Sequence, residues 1–234
     1  MPSAASLRAS IEAQIPSAFA VYRRPEQRTI HTGIPQIDSL IGGVPFSALT
    51  EICGSELASS GKTSVLISLL TQATQEHFCA LVDAADSFDP ISAQAAGMNF
   101  TRLLWVRCGK NKSKLKPMEQ AFKTTDMLLQ SGGFGLVVVD LSSLPERLVR
   151  KVPLTTWFRF SRVVEKQRTS LVFLAQKSHA TSCAGLVLNL KAKPAIWSGK
   201  LLTQFRLEAE VVRTREKKSS QSIKPDFSVQ SQWV

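Results

Sequence analysis

The segment Gly54-Ser-Glu-Leu-Ala-Ser-Ser-Gly61-Lys62-Thr63 combines small side chains, a lysine and a hydroxyl in an order suited to holding phosphate. Small residues let backbone N–H groups converge on anionic oxygens, and a helix starting behind the loop adds its dipole. Gly54, Ser60 and Gly61 would line such a turn. Lys62 would reach the terminal phosphates, and Thr63 would ligate magnesium through its hydroxyl. The spacing departs from the usual pattern. A glycine is wanted five positions before Gly61, where this chain has Glu56; Gly54 lies seven back. The loop is therefore two residues longer and carries a carboxylate. Two readings stay open on the residues alone: a loop that binds ATP with magnesium, or an empty loop kept as the N-cap of the next helix.

Other polar residues fall at the ends of apolar runs. Asp140 closes the run 135–140 and is the natural magnesium-side carboxylate for such a loop. Asp83, Asp86 and Asp89 follow the run Phe78 to Val82; one of them could act on water, although Asp89-Pro90 equally fits a helix start. Gln176 stands at the tip of Leu171 to Ala175, where it could sense a γ-phosphate. His31, His77 and His179 are scattered, with neither metal-ligand spacing nor the context of a hydrolytic triad. Cys53, Cys79, Cys108 and Cys183 show no paired ligand spacing, so they read as small core residues in a reducing cytoplasm.

The elements that must position these residues alternate. Short helix at 36–41, strand at 49–53, helix at 64–74, strand at 78–82, helix at 90–96 and strand at 103–106 follow in order. A helix over 118–130, strand 135–140, helix 155–167 and strand 171–175 continue the pattern. Strands apolar on both faces and separated by helices predict a mostly parallel central sheet flanked by helices. Beyond Ser178 the segments 186–191 and 202–214 alternate like strands joined by a turn at 194–200, which predicts a C-terminal antiparallel extension. We expect an N-terminal helix (5–14) and linker over 1–28, a core over 29–214, and a flexible basic tail over 215–234.

The chain has 234 residues and a formal charge of +11. That length allows one sizeable domain with tails. The charge favours an acidic partner, and non-specific DNA contact would fall to Arg147, Arg150, Lys151, Arg159, Lys191 and Lys193. Lys110, Lys112, Lys114 and Lys116 form a basic loop, read as a solvated face. No run of about 18 uncharged apolar residues exists to cross a membrane.

Several motifs in sequence order carry a resemblance. Thr32-Gly-Ile-Pro-Gln-Ile-Asp38-Ser-Leu-Ile-Gly42-Gly43, Leu49-Thr-Glu-Ile-Cys-Gly54, Gly61-Lys62-Thr63, Asp83-Ala-Ala-Asp-Ser-Phe-Asp89-Pro90, Val137-Val-Val-Asp140 and Phe173-Leu-Ala-Gln176 together resemble the bacterial RecA recombinase core. The chain looks most like the ImuA (SulA-related) class of RecA-like proteins. The resemblance implies an α/β RecA-like P-loop NTPase core and an accessory role in damage-induced translesion DNA synthesis, in the cytoplasm and at the nucleoid during repair. It also implies an ImuB-type polymerase-like partner, a translesion polymerase, and contact with the RecA recombinase or DNA. The recombinase carries a water-activating glutamate where this chain has Ala85, and its DNA loops are longer than the segments on either side of Gln176 here. These departures predict little ATP hydrolysis and argue against strand exchange; the alternative is a working DNA-dependent ATPase.

Overall fold

The computed structural model describes residues 6, 28–55, 60–109, 116–194, 196–198, 201–214 and 226–230. Ser6 is helical; the rest of the expected N-terminal helix, and the basic loop up to Leu115, lie outside the described residues. The elements are β1 (Thr29–Ile30), α1 (Pro35–Ile41), β2 (Val44–Pro45), β3 (Ala48–Gly54), α2 (Lys62–Glu76), β4 (Cys79–Asp83), α3 (Pro90–Ala95) and β5 (Leu103–Arg107). Then come α4 (Pro117–Ser131), β6 (Leu136–Asp140), α5 (Glu146–Val149), α6 (Leu154–Glu165), β7 (Ser170–Ala175), β8 (Leu186–Ala192), β9 (Ile196–Ser198), β10 (Leu201–Thr214) and β11 (Asp226–Gln230).

The main sheet runs β11-β10-β8-β3-β7-β6-β4-β5, with β9 also on β10. From β8 to β5 every pairing is parallel. Every residue of β3, β4, β6 and β7 is buried, which explains the apolar runs of β4, β6 and β7; β3 is interrupted by Thr50 and Glu51. The edge strand β5 has no fully buried residue. Successive side chains point to opposite faces, so two cores form. Ile52, Leu81, Val138 and Val172 meet α2 on one face, while Ala80, Val137, Val139 and Phe173 meet α4 and α6 on the other. On the second face Trp157 and Phe160 of α6 and Phe122 of α4 surround Phe173, with the Trp157 ring edge-on at 4.9 Å.

The structure bears out the α/β reading with a mixed sheet, and sharpens its C-terminal part. β10 and β9 form the expected antiparallel extension, but the turn expected over 194–200 contains β9 itself. Residues 226–230, expected in a flexible tail, instead form β11 antiparallel to β10 at 204–208. The physical reason is a period-two pattern, Asp226-Phe-Ser-Val-Gln230, beside a strand long enough to offer a second row of backbone donors and acceptors. The short β1–β2 ladder and α5 are further elements the sequence reading does not anticipate.

All four cysteines are buried and free of disulfides. Burial pushes the Cys53 and Cys79 thiols up to about 12 and Cys108 up to about 11, with the Glu51 charge adding to the first and the Asp83 charge to the last. In the folded protein these three thiols should therefore react with a thiol reagent at pH 8 only as fast as the protein unfolds; rapid labelling before denaturant is added would count against this packing. Phe173→Ala opens a cavity among three aromatic rings and should cost about 3–5 kcal/mol in urea unfolding.

Candidate functional site

Parallel register places the carboxyl ends of the core strands along one edge. Cys53 stands opposite Ala175, Asp140 opposite Leu174, and Asp83 opposite Asp140. In open α/β sheets, ligands bind along this edge.

The phosphate-type loop leaves β3 at Gly54 and re-enters regular structure at Gly61. Residues 56–59, including Glu56, lie outside the described residues. The loop's two ends nonetheless touch: a Cβ on Gly54 would fall 2.7 Å from the Ser60 Cβ. Gly61 caps α2 in the left-handed region at φ 75, and a Cβ there would lie 2.1 Å from Leu207 Cδ1 of β10. Both constraints demand glycine. α2 is 15 residues long, with no side-chain hydrogen bond at its N-cap and no acidic residue in its first turn. Its positive end is therefore uncompensated by the helix's own side chains. Lys62 is buried and its Nζ donates to the Gly54 carbonyl at 2.6 Å, while Thr63 is exposed on the same turn.

Asp140 is buried at the end of β6 and accepts from the Ser142 N–H at 2.9 Å and its hydroxyl at 2.6 Å. Burial pushes its carboxyl above the usual range, and the neighbouring Asp83 charge adds to this; the Ser142 bonds and the Lys62 charge pull it down. Gln176 follows β7, but its side-chain amide donates to the carbonyls of Ser142 at 3.3 Å and Leu144 at 2.9 Å. It therefore braces the turn after Asp140 in this structure.

The three aspartates after β4 are occupied structurally. Asp83 is fully buried and accepts from the N–H groups of Ser87 and Phe88. Asp86, itself at φ 58, is held by Arg107 through two bonds of 2.5 and 3.0 Å. Asp89 caps α3 by accepting from Ile91 and Ser92, the helix-start alternative. Ala85 lies half-buried against the second core. Among the described residues, no cluster of three or more His, Cys, Asp and Glu side chains is placed to hold a metal by itself.

Sequence reasoning missed Glu51. This fully buried carboxylate on β3 accepts from the Ser178 hydroxyl and from the N–H groups of His179 at 2.8 Å and Ala180 at 2.9 Å. It ties the strand entering the loop to the segment after Gln176. Its signal was present as a lone charge inside an apolar strand. Of the six cations proposed for DNA, Arg159 pairs with Asp126, Lys191 with Glu210 and Lys193 with Glu208. Arg147, Arg150 and Lys151 stay exposed around α5, without a carboxylate in ion-pair range among the described residues.

Residues 22–151, more than half of the chain, match the RecA N-terminal domain family. The chain belongs to that family. It is 38% identical over 101 residues to Protein RecA of Rickettsia canadensis (strain McKiel), covering 43% of this chain and 27% of that protein. Protein RecA of Colwellia psychrerythraea is 36% identical over 115 residues, 48% of this chain and 31% of its own length. Protein RecA of Ectopseudomonas oleovorans is 39% identical over 101 residues, 43% of this chain and 26% of its own length. The chain thus aligns with under a third of each of these curated relatives. The RecA N-terminal domain match includes the phosphate-type loop, Ala85 and Asp140, and ends before Gln176. Among the described residues no helix is long and apolar enough to cross a membrane.

Two variants probe this geometry. Gly61→Ala forces a left-handed alanine against Leu207 and should lower stability by at least about 1 kcal/mol in urea unfolding. For Asp140, a raised folded-state value means the folded protein binds the proton more tightly than the unfolded chain does. Its contribution to stability is then greatest at acid pH and falls as pH rises through the ordinary carboxylate range toward the folded value. Asp140→Asn retains an acceptor for Ser142 and lacks this loss. In the absence of ligand it should melt above the wild type at pH 7 and level with it near pH 3; a lower melting point at pH 7 would contradict the assignment.

Proposed function

We propose that this chain is a RecA-type ATP-binding module of the DNA-damage response that turns nucleotide over slowly. In this reading it serves as an accessory factor in translesion DNA synthesis. The observation that carries the nucleotide reading is the pairing of Lys62, buried at an uncapped helix N-terminus, with Asp140 at the end of the same sheet edge. A loop kept only as a side-chain cap would place a hydrogen-bonding side chain at the N-cap of α2, where Gly61 stands and no side-chain cap bond is made among the described residues.

The residues fit magnesium nucleotide by their chemistry. Lys62 and the α2 N-terminus would bind phosphate oxygens, Gly54, Ser60 and Gly61 would let the backbone approach, and Thr63 and Asp140 would serve the ion. The nucleotide, when bound with its magnesium, supplies the phosphoryl group and its counter-charge. Among the described residues this edge offers no carboxylate placed to orient water: Ala85 has none, and Asp86 is held by Arg107. General-base assistance contributes about 10²–10⁴-fold, so its loss leaves binding with slow turnover. Such a protein acts through binding, which supports an adaptor role beside an ImuB-type polymerase-like protein and a translesion polymerase.

A second reading, a DNA-dependent ATPase, is favoured by the retention of Lys62, Thr63, Asp140 and Gln176 and by the likeness to RecA proteins. Phosphate release from ATP, with and without single-stranded DNA, separates the two. We expect slow release that DNA does not accelerate, loss of the remainder in Lys62→Ala, and at least a tenfold gain in Ala85→Glu. Fast, DNA-stimulated release abolished by Lys62→Ala would establish the second reading. Co-purification from DNA-damaged cells addresses the partner: a polymerase-related protein is expected, and recovery of the recombinase alone would remove the translesion assignment in favour of a recombinase regulator.

A further inference from the structure

The segment from α5 through α6 turns an unusual face to solvent. The inner side of α6 is filled by Trp157, Phe160, Ser161 and Val164. On its outer flank, Leu154 and Phe158 stand one turn apart at 44% and 43% exposure. Arg162 continues the same stripe one turn further. Arg159 lies on the other flank, where it reaches Asp126 of α4, so the Leu154–Phe158 stripe faces away from that helix. Upstream, α5 is joined to α6 by a tight turn in which the Lys151 N–H donates to the Leu148 carbonyl and Val152 to Val149. This turn exposes Arg147, Arg150 and Lys151.

Single exposed apolar side chains are ordinary on protein surfaces. Two on one stripe, flanked by four exposed cations, are not accounted for by the core they border. Arg147, Arg150, Lys151 and Arg162 have no carboxylate within ion-pair distance among the described residues. Of the acidic groups closest in sequence, Glu146 faces Lys177 at 3.6 Å, and Glu165 accepts from the Ser161 hydroxyl at 3.5 Å.

We propose that this face docks an acidic amphipathic helix from another protein. Its apolar anchors would seat on Leu154 and Phe158, and its carboxylates would meet Arg147, Arg150, Lys151 and Arg162. Four residues of helix rise about 6 Å, the separation of side chains at i and i+4 on a partner helix laid alongside. Charge decides among the occupants. The chain is at +11, so a second copy would bring like charge to the patch. Its own terminal segments are no better suited: the helix expected over 5–14 sets Glu12 against Arg8 and brings no net negative charge, 23–28 carries Arg23, Arg24 and Arg28, and 215–224 carries Arg215, Lys217, Lys218 and Lys224. A nucleic-acid backbone would satisfy the cations but offers nothing to Leu154, and base stacking would have Phe158 as its one aromatic platform on the stripe. This surface is separate from the phosphate-type loop and stands whether or not nucleotide is hydrolysed.

The test is fluorescence anisotropy on the full chain with a synthetic labelled Ala-based helical peptide of about 18 residues, bearing Leu at i, i+4, i+7 and i+11, Glu at about four positions flanking that stripe, and Ala or Gln elsewhere. Comparison probes are a scrambled peptide of the same composition and a deoxythymidine oligonucleotide of similar length. We expect micromolar binding of the ordered peptide, weakened at least tenfold by the Leu154→Ala/Phe158→Ala double variant and again by Arg150→Glu/Lys151→Glu. Oligonucleotide binding should respond to the charge variant alone. Equal binding of the scrambled peptide, an unchanged affinity in the Leu154/Phe158 variant, or tight oligonucleotide binding with no peptide binding would each overturn the proposal. Matching thermal melts of the variants and the wild type exclude unfolding as the cause.

Discussion

A buried ammonium sits at the junction of β3 and α2, and much of the surrounding architecture is arranged to keep it there. Lys62 is almost fully enclosed, with the Gly54 carbonyl at 2.6 Å and Asp140 contributing opposite charge from the neighbouring strand ends. A buried charge without partners costs several kcal/mol, and the direct contact here is the Gly54 carbonyl, the Asp140–Lys62 attraction being the smallest of the influences on Asp140. Their placement follows from the parallel register of β3, β7 and β6, which brings Gly54 and Asp140 to one edge. The glycine at each end of the loop follows from the same requirement, because Ser60 folds over one and Leu207 presses on the other. Asp140 in turn bears the cost of its own burial, offset in part by Lys62 and Ser142. Phosphate would supply Lys62 with a stronger partner than a neutral carbonyl.

Around that junction, side chains that could have taken part in catalysis are built into the scaffold. Asp83 satisfies two backbone N–H groups of the turn between β4 and α3, and Asp89 two in the first turn of α3. Asp86 is paired with Arg107 on the edge strand β5. Gln176 spans to the carbonyls after Asp140, and Glu51 fixes the residues that follow Gln176. Among the described residues the edge is consequently well satisfied, with the lysine and Asp140 in place and no spare carboxylate beside Ala85. In the proposed reading, nucleotide would act here more as a ligand than as a fuel.

The parts of this structure legible in the sequence are those where burial leaves one option. β6 and β7 are apolar on both faces because helices cover both, so their positions, and Asp140 at the end of one, could be read directly. Helix ends marked by Pro90, Pro117 and Gly42 were equally plain. What escaped depends on partners distant in sequence. Residues 226–230 carry a weak alternation that becomes a strand only beside β10. Glu51 looks anomalous in an apolar run until Ser178, His179 and Ala180 supply its three donors. The ion pairs that engage Arg159, Lys191 and Lys193 likewise turn on which carboxylates the fold brings near, a matter that charge counting does not reach.

The central claim is that the loop from Gly54 to Thr63 is a nucleotide site. Calorimetric titration of the full chain with ATP, in the presence and absence of magnesium, tests it most directly. The account predicts a dissociation constant tighter than about 100 μM with magnesium and at least tenfold weaker without it. A value weaker than about 1 mM under both conditions, equivalent to less than about 4 kcal/mol of binding, would contradict it and leave the loop a structural relic.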